Sequence, residues 1–368
     1  MIRPAAFAFA ALTAYAAAQE PASAPASRPA SAPSSAEIRA RLDAVMEKFV
    51  AKGFTGTVLV VRGNETLLER GYGFADRQRK IPCAPDTVYD IQSITKQFTA
   101  SAILRLEMQG KLSVADAMDK HLPGVPNDKK GITLHHLLTH TAGFPSEIGD
   151  DYEALRRDSF VERAFATKLR SEPGKTYHYS NVGFSLLAAI IERVSRQTYE
   201  AFLREQLFLP AGMDQTGYRL PKFRPDSIAH GYEKDKDWGT PLDHPWDKDG
   251  PYWNLLGNGG ILTTAGDMLR WHRALAGERI LSADAKKKMF TPHVAEGPRA
   301  ESFYGYGWSI VDRAPFGRLF THDGGNDVFF SDLYRFVDRD LFIFLATGAD
   351  KRGFDELGNE LARAVLSQ

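Results

Sequence analysis

Short runs rich in β-branched and aromatic residues stand at both ends of this chain, and a helical middle separates them. Near the N-terminus Thr57–Val61 and Thr66–Tyr72 flank Gly63-Asn64, the pattern of a hairpin. Toward the C-terminus Tyr304–Val311, Arg318–His322, Phe329–Val337 and Leu341–Thr347 are divided by turn residues. The segments Ser93–Gln109, Val114–Leu122, Leu134–Thr139, Val182–Gln197, Tyr199–Leu207, Ala265–Ala276 and Ala283–Phe290 suit helices. Caps stand at Ser113 (with Asp116), Thr133, Thr198, Thr264 and Ser282. Two outer helices are predicted over Glu37–Gly53 and Phe354–Leu366. The expected fold is α/β of the α+β type, an antiparallel sheet built from both termini and flanked by helices. A mostly helical lobe, roughly residues 93–290, is inserted in it, with a cleft between the lobes. At 368 residues the chain exceeds the roughly 250 to 300 at which one core stops growing, which also favours two lobes.

The first 36 residues read as something other than fold. A positive start at Arg3, the weakly apolar run Ala5–Ala18 and small residues before Gln19 have the form of a secretory signal peptide, 1–18. As a helix that run is about 21 Å long against a hydrocarbon core of roughly 30 Å, which makes a transmembrane anchor the weaker alternative. Residues 19–36, with proline at 21, 25, 29 and 33, have no large apolar side chain and are expected to form an extended linker. No cysteine follows the signal to carry a lipid. The expectation is a bacterial protein exported to the periplasm or beyond, without a stable membrane anchor, whose folded domain covers 37–368.

Composition narrows the partners. Forty-six basic side chains balance 46 acidic ones, so the chain lacks the basic footprint of phosphate binding, and nucleic acid is not an expected partner. The single cysteine, Cys83, makes no intrachain disulfide, and no Cys/His spacing suits structural zinc. His136 and His140 stand one helical turn apart, but the Glu of a His-Glu-x-x-His site is missing, so no metal is expected there.

Three local patterns can carry chemistry. Ser93 and Lys96 are three residues apart at a helix start, where they can meet on one face. A serine hydroxyl becomes a nucleophile when a neighbour of lowered pKa takes its proton. Ser-x-x-Lys also arises by chance roughly once in a chain of average composition this long. Tyr179-Ser180-Asn181 precedes a strongly apolar helix, where Asn181 reads equally as a cap and Tyr179 as a packed aromatic; Tyr252-Trp253-Asn254 is a rival. His322-Asp323-Gly324-Gly325 ends a strand, where small residues admit either a ligand or a turn. Residues 232–254 mix tryptophans with alternating lysines and aspartates, as a solvated surface loop does, or as a loop overhanging a cleft does.

Taken in order, Ser-x-x-Lys, Tyr-x-Asn and a strand-borne His-x-Gly resemble the penicillin-binding-protein and serine β-lactamase superfamily. The surrounding phrases VYDIQSITKQFTASAILRLEMQGKLSVADAMDKHLP, ITLHHLLTHTAGF, YHYSNVGFSLLAAIIERVSRQTY, LFLPAGMDQTGY, GNGGILTTAGDM and YGYGW are similar to the branch holding class C β-lactamases, D-alanyl-D-alanine carboxypeptidases, D-aminopeptidases and related esterases. The resemblance implies the β-lactamase/transpeptidase-like fold and a hydrolase that acts on ester or amide bonds through an acyl-enzyme. It implies no cofactor. The substrate would be a small molecule or peptide, cell-wall derived in many such relatives.

By that resemblance Ser93 is the nucleophile and Lys96 helps deprotonate it. Tyr179 is general base or proton shuttle, its phenol pulled down by Lys96, and Asn181 donates to the substrate. His322 replaces the lysine of many relatives and, being only partly charged, holds a substrate carboxylate less reliably. Gly324 completes the His-x-Gly unit, and the N–H groups of Ser93 and Gly325 form the oxyanion hole. Val328 and Phe330 stand where relatives usually carry a glycine and a small residue, and are expected to narrow the acyl pocket; Asp323 would repel an anionic substrate if it faced inward. These departures motivate an alternative, a catalytically silent binding or scaffold protein.

Overall fold

The computed structural model describes residues 33–367 apart from 235, 245–249 and 350–352, so the signal-peptide reading and most of the linker lie outside the described residues. Helix α1 (Ser35–Ala51) starts two residues before the predicted Glu37, inside the segment expected as linker. The cause is local: Ser34 and Glu37 exchange side-chain-to-backbone bonds in a capping box, satisfying N–H groups that a later start would leave free.

The hairpin follows as β1 (Gly56–Arg62) and β2 (Glu65–Tyr72). The helical middle comprises α2 (Lys96–Met108), α3 (Leu134–Leu138), α4 (Arg157–Ala166), α5 (Asn181–Ser195), α6 (Tyr199–Leu203), α7 (Ala265–Ala276) and α8 (Ala283–Met289). The chain returns as β3 (Val294–Ala295), β4 (Phe303–Tyr304), β5 (Ser309–Arg313), β6 (Gly317–Gly325), β7 (Phe330–Phe336) and β8 (Leu341–Thr347), and ends in α9 (Leu357–Leu366). Among the described residues the eight strands form one antiparallel sheet in the order β2-β1-β8-β7-β6-β5-β4-β3, with Thr57 opposite Ala346 where the two ends of the chain meet.

Period-2 alternation sends successive side chains to opposite faces, and both faces are covered. On β8, Leu341, Ile343 and Leu345 join a core with α1 and α9, while Phe342, Phe344 and Ala346 join the larger core shared with the helical middle. All seven residues of β8 are buried. Burying each large side chain contributes roughly 1.5 to 3 kcal/mol, so this central strand anchors both layers.

Three expectations change in detail. Val114–Leu122 is not a helix but a loop with one 3-10 turn, Met118–Lys120. There Ser113 N–H bonds the Asp116 carboxylate and Ala117 bridges to Thr133, so tertiary pairing overrides the helical pattern. Tyr199–Leu207 continues past α6 as a π-helical turn, Arg204–Phe208. The run Tyr304–Val311 is broken between β4 and β5 because Gly307, at φ 77, lies against the first turn of α2, where a Cβ would stand 2.7 Å from the Lys96 carbonyl oxygen. Helix α4 was not expected.

Candidate active site

The site grows from the turn that begins α2. Residues Gln92–Thr95 form a 3-10 turn rather than the first turn of an α-helix. In that tighter coil positions three apart eclipse, which brings Lys96 Nζ to 3.1 Å from Ser93 Oγ. Gln92, just before Ser93, is held at φ 45, a conformation that costs a non-glycine residue on the order of 1 kcal/mol. Its backbone N–H and its side-chain amide both bond the buried Asp90 carboxylate, at 2.8 and 2.7 Å. Burial pushes the Asp90 carboxyl up to about 7. The strained turn is thus fastened from beneath.

Lys96 is fully buried. Its Nζ also reaches Asn181 Oδ1 at 2.8 Å and the Asn258 carbonyl at 2.8 Å, and sits 4.6 Å over the Tyr179 ring. Loss of water drives its pKa well below 10.5, partly countered by the negative charges of Asp151, Asp323 and Glu147. Tyr179 is half-buried and its phenol hydrogen-bonds Ser93. Enclosure pushes that phenol above its ordinary 10, and the Asp323 and Glu296 charges push the same way. This corrects the expectation that Lys96 pulls the phenol down: desolvation pushes the Lys96 amine toward its neutral form and keeps the phenol protonated.

Strand β6 supplies the opposite wall. Gly324 faces the Ser93 turn so closely that a Cβ there would stand 2.8 Å from Ser93 N and 3.1 Å from Gln92 Cβ. Gly325 ends the strand and lines the cleft beside Ser93. His322 corrects a second expectation. Its Nδ1 donates to the Asp323 carbonyl at 2.6 Å, and its Nε2 accepts from Tyr304 Oη at 3.0 Å. Burial lowers it to about 4, so it is a neutral structural link with both nitrogens engaged, not a partly cationic contact for a carboxylate.

Asp323 and Phe330, two of the three departures, turn away. Alternation places His322 and Gly324 on the inner face and Asp323 on the outer one, opposite Asp332. Phe330 packs in the α1/α9 core, where it cannot narrow the acyl pocket. Val328 alone of these lines the cleft. The support for a silent scaffold falls with them.

The cleft, about 520 Å³, is lined by Ser93, Asn181 and Gly325 together with Glu147, Asp150, Asp151, Glu233 and Asp327. Asp151, enclosed and next to Glu147 and Asp150, is pushed up to about 6. Trp238 and Glu233 bring the 232–254 segment to the rim, and Trp238 stacks on His244 at 3.7 Å. The rival Tyr252-Trp253-Asn254 lies elsewhere: Asn254 Nδ2 braces the Asp150 carbonyl and Glu153. His136 Nδ1 accepts the Thr133 N–H and His140 packs on Tyr179, so the two rings serve different neighbours. Asn258, missed as a functional residue, sat inside the quoted phrase GNGGILTTAGDM. The acidic loop 147–151 carried no local signal.

Fold and cleft together define a serine hydrolase of the β-lactamase/transpeptidase type. A family model described as Beta-lactamase matches residues 42–367, and the chain belongs to that family, whose members act on amide or ester bonds. It is 30% identical over 330 residues to penicillin-binding protein 4* of Bacillus subtilis (strain 168), covering 85% of this chain and 72% of that protein. It is 29% identical over 244 residues to protein flp of Staphylococcus aureus (strain NCTC 8325 / PS 47), covering 63% of this chain and only 47% of that one. The crystal structure of the penicillin-binding protein from Bacillus halodurans superposes with a TM-score of 0.73 at 28% identity, covering 88% of this chain and 98% of that one. No helix among the described residues is long and apolar enough to cross a membrane.

Proposed function

We propose that the protein hydrolyses ester or amide substrates through an acyl-enzyme on Ser93. The observation that carries this is the convergence of Lys96 Nζ on Ser93 Oγ, Asn181 and the Asn258 carbonyl in a site whose loss of water favours the neutral amine. A neutral amine has two N–H donors and one lone pair. The donors satisfy Asn181 Oδ1 and the Asn258 carbonyl, so the lone pair faces the Ser93 hydroxyl. On attack the hydroxyl proton passes to Nζ, the Oγ–C bond forms and the carbonyl electron pair moves to oxygen. The N–H groups of Ser93 and Gly325 hold that oxyanion; one such donor is worth about 3 to 4 kcal/mol. As the intermediate collapses, the leaving oxygen or nitrogen takes the Tyr179 proton, and Lys96 returns its own to the phenol. Water then repeats the sequence on the acyl-enzyme. Asn181, its Oδ1 committed to Lys96, offers Nδ2 to the substrate.

Among the described residues five carboxylates and no lysine or arginine line the cleft, which favours neutral or amine-bearing acyl donors over carboxylate-bearing penicillins. A signal peptide over 1–18 and a linker from 19 remain part of the proposal, checked by whether the exported chain begins at Gln19. A fluorophosphonate probe should label Ser93 and spare a Ser93→Ala protein. Equal labelling of both refutes the assignment. A panel of p-nitrophenyl esters, D-amino-acid amides, D-alanyl-D-alanine peptides and a cephalosporin, read by acyl-enzyme mass, sorts the substrate classes.

A further inference from the structure

We infer that His140 is a positioning residue for Tyr179, an inference that rests on the role just proposed for that phenol. His140 follows α3 at φ 57 and is almost fully buried. Its carbonyl accepts the His178 N–H at 2.8 Å, and its ring Nδ1 accepts the Ser180 N–H at 3.0 Å. One residue therefore grips the chain on both sides of Tyr179. Its ring lies 4.4 Å from the Tyr179 ring, tilted by 34°, and is backed by Tyr304 at 4.6 Å, Phe184 at 5.0 Å and Tyr177 at 5.7 Å.

The tautomer follows from these contacts. Nδ1 accepts, so in the neutral ring Nε2 carries the hydrogen, and Nε2 is buried without a hydrogen-bond partner. A phenylalanine would fill the same aromatic box without that unpaired N–H, whose burial is unfavourable. What histidine adds is the Nδ1 acceptor at Ser180. Ser180 in turn caps α5 by accepting the Gly183 N–H at 3.1 Å. The ring and the acceptor together set where the Tyr179 phenol points, and a displacement of about 1 Å at such a group can cost on the order of 100-fold in rate.

The test compares kcat and KM on a p-nitrophenyl ester for the full chain. His140→Ala removes ring and acceptor; His140→Asn restores an acceptor near the Nδ1 position and tolerates the left-handed backbone. Both are expected to fold, as checked by thermal melting, and kcat of His140→Asn should exceed that of His140→Ala by about tenfold, with KM of both within about twofold of wild type. The same pair is then made in a Tyr179→Phe background, where the difference should shrink to about twofold or less because the phenol it positions is gone. Equal kcat for His140→Ala and His140→Asn, or an undiminished difference without the phenol, overturns the inference while leaving the serine mechanism intact. Full activity of Tyr179→Phe alone would instead remove the role of Tyr179 and this inference with it. If His140→Ala does not fold, His140→Phe takes its place against His140→Asn, with the same ordering expected.

Discussion

Gly324 and Gly325 are adjacent glycines for which the structure predicts opposite fates. A Cβ on Gly324 would lie 2.8 Å from Ser93 N and 3.1 Å from Gln92 Cβ, and closer still to the Ile91 carbonyl. Unstrained contacts need roughly 3.5 Å, and the two nearest obstacles are backbone atoms, so β6 and the Ser93 turn must separate by something near 1 Å. The two proposed oxyanion donors, the N–H groups of Ser93 and Gly325, stand one on each side of that junction. Widening it weakens at least one of them, and loss of one costs about 10²- to 10³-fold in kcat. A Cβ on Gly325 meets only Phe330 Cδ2 at 3.4 Å and the Phe329 carbonyl at 3.6 Å, ordinary contacts. Gly324→Ala should therefore lose on the order of 100-fold or more in kcat for a p-nitrophenyl ester, and Gly325→Ala less than about tenfold. Burst kinetics should place the Gly324→Ala loss in acylation. Equal losses, or a tolerant Gly324, would refute the assignment of the oxyanion hole to this junction.

Three further outcomes follow from the site. With Lys96 as the proposed base, kcat/KM should rise with pH through its folded pKa; the Asp151 charge favours the protonated amine, and Asp151→Asn should move that limb to lower pH, an unmoved or upward limb counting against the lysine as base. Gln92→Gly relieves the left-handed strain while losing the amide bond to Asp90, so its urea midpoint should stay near wild type. Gln92→Ala keeps the strain and loses the bond, for a cost of about 1 to 2 kcal/mol. Neutralising Glu147, Asp150 and Asp151 together as Gln, Asn and Asn should improve kcat/KM for a carboxylate-bearing substrate relative to an amine-bearing one, and an unchanged ratio would show that the cleft charge does not select.

Much of the architecture was readable because it rests on local periodicity. The strand runs, the strong helix after Asn181 and the meeting of Ser93 with Lys96 depend on spacing alone. What failed depended on partners far away in sequence. Whether Tyr179 is pulled down by Lys96 or pushed up by desolvation turns on how much water the fold removes, which no motif states. Period 2 already puts Asp323 and His322 on opposite faces of β6, but which face meets Ser93 is set by the packing of Gly324 against the Ser93 turn. The acidity of the cleft arises because a loop at 147–151, a hairpin residue at Glu233 and a turn residue at Asp327 converge in space alone. Ser113 and Asp116 looked like a helix start and do make a capping-type bond, yet the pairing of Ala117 with Thr133 claims the following chain.

The pairing of β1 with β8 has a consequence in time. Thr57 pairs with Ala346, far along the chain, and until β8 has been made β1 has no neighbour on that side. Contacts of such sequence separation form late and slowly. The wall that carries Gly324 and Gly325 is held in register by the same strands, β7 and β8. A nascent chain that has not yet reached β6 thus carries Ser93 without the strand that bears Gly324 and Gly325, and the proposed oxyanion hole can form only after that wall is made.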